Sequence, residues 1–452
     1  MKKGKSVHWS MIALIFCSVC SVHFWTVAVQ ASGFAIVEQS VRGLGTAYAG
    51  SAALAEDPST IFYNPAGMAR LSGHQFEAGI HYIIPKAKFE DHGSTHVTGQ
   101  PLNVHNNEGG DGGESALVPN AYYSHSATEQ LKIGIGVHAP FGLKTEYDRN
   151  WVGRYHAVES ELQTININPT LAYRLTPQWS IGAGVSIQWA DATLSNKADF
   201  GFAGFIGGIL PATESQRHDG FAEMDGDDWG YGFNLGILFE PTHSTRFGIA
   251  FRSMISHTLK GRIGYEYEDP IAQAVAVGGN FVNGDASAEV DLPETVSLGV
   301  YHAFNPTWAV VAGATWTKWR RLDELRIQYN TGQPDTVITL DWDDTWRFDV
   351  GLIYQVTDRF TGRFGIAYDE SPIPNEQRRT PRIPDEDRYW LAIGGGYSFT
   401  DRAELNVGYV HIFVDDPKVD KPATDEDLAR GALRGEWDAS VDIISLNFIY
   451  IF

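Results

Sequence analysis

His125, His302 and His411 lie in or beside segments of alternating polarity. A His joined to a Ser and an Asn or Asp would make an ester-cleaving centre of the sort a membrane barrel can carry on its outer face. Spacing pairs none of the three with a nucleophile, so a polar or interfacial His is the plainer reading. The chain contains no phosphate-binding P-loop, no HExxH pair and no nucleophile elbow. Asp225-Gly226-Asp227-Asp228 and Asp425-Glu426-Asp427 hold enough carboxylate to draw divalent cations beside lipopolysaccharide, although such runs are ordinarily solvated loops. No catalytic residue, metal set or cofactor is expected. Apolar binding is the chemistry left. Phe200, Phe202, Phe205 and Ile206 stand in a Gly-rich run ending at Pro211, in a connection that composition alone would make polar. Phe141, Leu143, Tyr147, Trp151, Val152 and Tyr155 form a second apolar connection and would supply the other side of a groove. An apolar solute gains about 0.8 kcal/mol per CH₂ removed from water, so a chain of about 16 carbons gains on the order of 12 kcal/mol in a dry site. A watery pore offers none of that.

The elements that must position these groups are strands. Ile165, Ile167, Leu171 and Tyr173 alternate with Thr164, Asn166, Asn168 and Thr170. Phe247, Ile249 and Phe251 alternate with Arg246, Gly248 and Arg252, and Leu446, Phe448 and Tyr450 with Ser445 and Asn447. Period two gives a sheet with one apolar and one polar face. A soluble sandwich and a membrane barrel would both show it. The chain of 452 residues is 20% charged and 12% aromatic, which excludes a bundle of membrane helices and a disordered polymer. A net charge of −21 argues against nucleic acid as a partner.

Residues 1–31 read as a signal peptide: Lys2, Lys3 and Lys5 precede an apolar stretch from Met11 to Val29, and Val29-Gln30-Ala31 ends it with small residues where a signal peptidase cuts. Ser32 is the expected mature start. Cys17 and Cys20 leave with the leader, so neither lipid anchor nor disulfide is expected. In the rest of the chain, short turn signals at Ser126 to Gln130, Leu175 to Gln178, Glu240 to Thr245, Asn305 to Thr307, Thr357 to Asp358 and Thr400 to Asp401 alternate with long connections, including 86–115, 200–224, 268–286 and 415–436. That asymmetry marks an outer-membrane barrel, whose closed sheet leaves no backbone group unpaired in hydrocarbon. The expected fold is all-β: a 14-stranded antiparallel transmembrane β-barrel over 73–452. It ends on Phe452, and Trp179, Trp308, Trp316, Trp319, Trp342, Trp346 and Trp390 would sit near strand ends at the lipid interface.

Residues 32–72 do not alternate and suit a compact plug. Here the chain resembles the long-chain fatty acid transporter (FadL-type) family of outer-membrane proteins. The resemblance is carried by Ser32-Gly33-Phe34, Gly43-Leu44-Gly45, Ala47-Tyr48-Ala49-Gly50 and Asn64-Pro65-Ala66-Gly67. Further along, Asn168-Pro169, Phe251-Arg252-Ser253, Leu292-Pro293-Glu294, Trp316 with Trp319, and the run from Gly365 through Ile383-Pro384-Asp385 to Leu391 also match. The resemblance implies a 14-stranded barrel closed by an N-terminal hatch. It also implies passive uptake of hydrophobic small molecules, fatty acids or toluene-like hydrocarbons, with outer-membrane lipid and lipopolysaccharide around the barrel.

By that resemblance Asn64, Pro65 and Ala66, with Phe34 and Gly67, form a gate. Val137-His138-Ala139-Pro140-Phe141-Gly142 would kink the third strand, because Pro donates no ladder hydrogen bond, and Ala139, Pro140 and Gly142 would border a lateral exit toward the bilayer. The alternative is that Pro140 starts an external loop. The family meets a fatty acid carboxylate with a basic pair, but Asn196 and Ile338 stand at the matching positions here. Lys197, Arg252 or Arg347 could substitute, or the solute could be neutral. A general porin and an outer-membrane lipase are the rival functions. A monomer is expected.

Overall fold

The computed structural model describes residues 33–102 and 106–452. The expected signal peptide, both cysteines and the expected mature start Ser32 lie outside the described residues. Fourteen antiparallel strands follow: β1 His74–Asp91, β2 Ala116–Ser126, β3 Leu131–His138 continued by Gly142–Glu146, β4 Glu159–Arg174, β5 Trp179–Asp199 and β6 Asp219–Thr242. Then come β7 Thr245–Arg252 with Ile255–Tyr267, β8 Gly284–Leu292 with Thr295–Ala303, β9 Trp308–Thr317 with Glu324–Tyr329, and β10 Thr336–Thr339 with Thr345–Thr357. β11 Phe360–Asp369, β12 Arg388–Thr400, β13 Ala403–Val414 with Lys418–Lys421 and β14 Leu433–Ile451 complete the wall. β1 pairs with β14 from Gln75 opposite Ile451 to Asp91 opposite Gly435, so the sheet is closed.

Which face meets which medium decides the surroundings. On β14, Ile444, Leu446 and Phe448 are exposed, whereas Ser445 and Asn447 are buried in the bore. On β7, Phe247 and Ile249 point out and Arg246 points in, and β11 repeats this with Phe364 and Ile366 against Arg363. Apolar outside and polar inside is unstable in water and correct in lipid. Long connections gather at one end and short turns at the other, as read from the sequence. The long ones are shorter than expected at several places, because β1 runs to Asp91, β6 starts at Asp219 and β13 resumes at Lys418. These extensions stand beyond the lipid with charged residues such as Lys88, Glu90, Glu223, Lys418 and Asp420 facing out, so the apolar outward stripe that marks the wall stops there, while Phe89, Met224 and Val419 are buried on the inner face. The tryptophans also divide. Trp179, Trp308 and Trp346 face outward, but Trp319, Trp342 and Trp390 are buried, which corrects the interfacial reading for those three.

Residues 33–71 fill the bore as α1 Val41–Leu44, α2 Ser51–Leu54, α3 Thr60–Tyr63 and a 3₁₀ turn Pro65–Arg70. The wall makes room with glycine at inward positions. A Cβ on Gly299 would lie 2.8 Å from Ala53 N, one on Gly394 2.7 Å from Gly45 Cα, and one on Gly351 2.7 Å from Thr46 Cβ. Gly182 and Gly236 are crowded in the same way by Pro65, Ala66 and Asn64, Gly248 by Ala52 and Gly365 by Thr46. Wall arginines then cap carbonyls of the inner segment: Arg246 donates to Ala53 O and Leu54 O, Arg252 to Phe62 O and Arg347 to Ala47 O.

Candidate functional site

The kink expected in β3 is a bulge. His138 pairs with Asn166 and Gly142 with Gln163 of β4, leaving one extra residue in the 139–141 stretch. On the other side the β2–β3 ladder stops at Ala121 opposite Val137 and touches again only at Gly113 and Thr145. The strand resumes at Gly142, so Pro140 does not open an external loop. The freed backbone groups pair with the inner segment: Ile36 N donates to Pro140 O at 2.8 Å, Gly142 N donates to Phe34 O at 2.9 Å, and Gln39 Nε2 donates to Ala139 O at 2.6 Å. Ile36 and Val118 are buried in the gap, which is closed from within.

Asn64, Pro65 and Ala66 sit elsewhere. They lie against the glycine floor of β5 and β6, with Asn64 Nδ2 donating to Ala52 O and Ile237 O and Asn64 Oδ1 accepting from Ala66 N. Gly67 is pressed against Ala55 in the same turn. The kink therefore meets Phe34 to Gln39 rather than the Asn-Pro-Ala run, because the one-residue bulge turns its carbonyls toward the start of the segment.

Phe34 packs edge-on against Trp319, with ring centroids 5.1 Å apart, and against Phe141 and Trp342. Leu143, Leu162, Leu322, Leu340 and Ile383 join this cluster. Beside it lies a cavity of about 90 Å³ lined by Leu143, Leu162, Leu194, Met224, Leu259, Leu325, Leu340, Ile383 and one face of Phe34. Ser160, Glu161 and Arg382 are the polar residues in its lining. Most of these residues were missed by the sequence reading. A signal existed: along β4 the inward positions run Asn168, Asn166, Thr164, Leu162, so the parity holds while the chemistry changes from polar to apolar.

Trp151 and Tyr155 do not reach this cavity, contrary to expectation. With Tyr147 and Val152 they are buried against Phe89 and Trp437 in a separate cap, Tyr147 stacking on Trp151 at 4.2 Å. Lys197 is also unavailable. It is paired with Glu268 and Asp219 and donates to Asn150, because it points into the connection above β5. Phe200 and Phe202 anchor the helix α4 Phe200–Ile206, Phe200 against Ala272 and Ala276 of α5 Pro270–Gly278. The groove partner is thus α5 and not the 141–155 connection. Phe205, Ile206 and Ile209 remain exposed beside Ile271 and Val277, an external apolar patch.

The three histidines singled out from the sequence have other partners. His302 contacts Thr245, His125 stacks on His74, and His411 contacts Asp442. Ser445, His81 and Asn120 do form a hydrogen-bonded row, with His81 Nδ1 2.7 Å from Ser445 Oγ. All three are 0–4% exposed inside the bore, out of reach of an ester.

A family model described as "Outer membrane protein transport protein (OMPP1/FadL/TodX)" matches residues 22–452. The chain belongs to that family. Its members are transport channels, and the chain is an outer-membrane β-barrel of the OMPP1/FadL/TodX type for uptake of hydrophobic compounds. It is 31% identical to a long-chain fatty acid transport protein of Escherichia coli O6:H1 over 84% of this chain and 87% of that one. The crystal structure of a Pseudomonas aeruginosa FadL homologue superposes with a TM-score of 0.87 at 27% identity, covering 93% of this chain and 100% of that one. The toluene transporter TodX of P. putida shares the fold, with a TM-score of 0.65 at 18% identity over 87% and 94% of the two chains.

Proposed function

We propose that this OMPP1/FadL/TodX-type barrel admits hydrophobic small molecules passively, through a dry internal site that the inner segment, acting as a hatch, closes and releases. The solute lands on the exposed side chains of α4 and α5, passes under the cap into the cavity beside Phe34, and leaves sideways at the β3 bulge when residues 34–39 move. The observation that carries this reading is the position of Phe34. It is both a wall of the apolar cavity and, through Phe34 O and Gly142 N, a fastening of the lateral gap. Displacing Phe34 with a bound alkyl or aryl group would loosen both. The inner segment would be a hatch of residues 32–72, and residues 1–31 a leader removed before assembly.

A general porin needs an open bore, and here the bore holds residues 33–71 on a glycine belt. The chain acts without catalysis, since Ser445 is buried away from any ester. Outer-membrane lipid, with lipopolysaccharide around the external end, is the surrounding partner of a monomer. The test is uptake of a radiolabelled apolar solute into proteoliposomes alongside ion conductance in planar bilayers. Uptake with little ionic current supports the channel; large steady current without uptake supports a porin, and release of acyl chains from phospholipid supports a lipase.

A further inference from the structure

The ladder between β8 and β9 is split. Ala286 to Ala288 pair with Tyr329 to Ile327, and Thr295 to Ala303 pair with Thr317 to Ala309, with no ladder pair between the two blocks. Residues 289–294 of β8 there face the longer stretch 318–326 of β9, and Lys318 N donates to Glu294 O at 3.1 Å at the near end. The surplus of β9 turns inward as the 3₁₀ turn Trp319–Arg321, which buries Trp319 with its ring 5.1 Å from Phe34 and 5.2 Å from Trp342. Parity sorts the residues along the split. Ala288, Val290 and Leu325 face the cavity beside Phe34, whereas Glu289, Asp291, Glu324 and Arg326 line a hollow of about 350 Å³ on the outer surface. Among the described residues Leu322 alone lines both. Its carbonyl is tied to β10 by Trp342 N at 3.4 Å, and its other flank, toward β8, has no ladder partner. Trp316 and Trp346 stand paired across β9 and β10 at the near end, with Trp346 facing lipid. The split therefore opens just beyond the aromatic belt, at the height of the headgroups.

We propose that this split is a second lateral opening of the wall, through which neutral apolar solutes held in the headgroup layer enter the cavity directly, with Leu322 as its door. This rests on the channel reading above and adds an entrance beside the route under the cap; the β3 bulge stays the exit. Elsewhere in the wall a solute would have to break ladder hydrogen bonds, whereas here a change of rotamer at Leu322 joins the outer hollow to the cavity. The hollow also sets the sign of charge it admits. Arg321 is paired with Glu294 through two hydrogen bonds, and Arg326 is paired with Glu324 and Asp335. Glu289, Asp291 and Asp323 line the same hollow and make no ion pair among the described residues. Its field is therefore negative, which opposes an anionic solute and leaves a neutral one unaffected.

The test is the rate of thiol labelling at a cavity position, Met224→Cys, with Leu194→Cys as a second position, in the full mature chain in lipid nanodiscs at physiological salt. The reagents are N-phenylmaleimide, which is neutral, and its 4-carboxy derivative, an anion at neutral pH. Both native cysteines lie in the expected leader, so the introduced thiol is the target. The neutral reagent should react faster than the anion, and Leu322→Trp, which thickens the door, should slow it severalfold. Glu289→Lys with Asp323→Lys should speed the anion roughly 10-fold, the low end for charge steering into a cleft, and leave the neutral reagent unchanged. Glu90→Lys with Glu436→Lys, an opposed pair on β1 and β14 across the barrel, should change neither rate. If labelling proceeds but the anion ignores the charge reversal at the split, or responds equally to both reversals, or the neutral reagent ignores Leu322→Trp, the side entrance is overturned and the channel reading stands. Absence of labelling by either reagent in the folded protein, with full labelling after denaturation, overturns the channel reading as well.

Discussion

The backbone N–H of Gly33 donates to the buried carboxylate of Asp385 at 2.8 Å, tying the start of the inner segment to the connection that carries Arg382. Asp385 is in turn paired with Arg388. Replacing Asp385 with Ala removes an acceptor from Gly33 and orphans a buried guanidinium, at a cost of about 1–3 kcal/mol or more for the latter. Hydrogen exchange of residues 33–40 should accelerate in Asp385→Ala and much less in Asp385→Asn, which keeps an acceptor for Gly33. Equal exchange in all three proteins would show that this bond does not hold the segment.

The glycine belt makes a stability prediction. Gly236→Ala and Gly365→Ala place a methyl against Asn64 and Thr46, and overpacking of this kind costs about 1–3 kcal/mol. Gly264→Ala, whose Cβ would meet only Glu223 O at 3.9 Å, should be neutral. The thermal transition of the folded band in gel-shift assays reads all three. A drop for Gly264→Ala as large as for the other two would mean that crowding by the inner segment is not the cause.

Glu38 couples the inner segment to pH. Burial pushes its carboxyl up to about 7, against the opposing pull of Arg347 and Arg388 and with help from Asp369, and its Oε1 has no donor. The folded value lies above the unfolded one, so the seated segment is favoured fully below about pH 4.5 and loses that stabilisation as pH rises through 7. Proteolysis or exchange within residues 34–40 should therefore be faster at pH 8 than at pH 5, and Glu38→Gln should flatten the difference. Faster opening at the acidic pH would reverse the assignment.

The external patch predicts a kinetic effect. Ile206→Asp with Ile209→Asp leaves the cavity intact but removes apolar landing area. Uptake should fall at low solute concentration and recover near saturation. An unchanged concentration dependence would mean that solute bypasses α4.

How much of this was legible follows from where periodicity speaks. In the lipid-facing belt each strand has one apolar and one polar face, so Leu446 against Asn447 announces the wall, and turns such as Thr357 to Asp358 count the strands. Beyond the lipid the outward face turns from apolar to charged, and the ends of β1 and β6 read as loop. The kink was visible because Pro140 cannot donate to a ladder, yet its partner was not: Ile36 and Phe34 meet it through backbone atoms, which side-chain types do not encode. Lys197 turns away from the cavity to Glu268, Asp219 and Asn150. Its neighbour Asn196 touches the cavity-edge cation, but that cation, Arg382, is 186 residues away in sequence, and only folding brings the two together.

The central claim is that the inner segment must leave the β3 bulge for solute to pass. Ala35 and Phe141 face each other across an antiparallel, non-hydrogen-bonded pair, whose Cα separation of roughly 4.5 Å lies within disulfide reach. With both native cysteines in the expected leader, Ala35→Cys with Phe141→Cys gives a clean reversible lock. Uptake of labelled palmitate or toluene into proteoliposomes should stop when the pair is oxidised and return on reduction; equal uptake in the oxidised and reduced states would contradict the account.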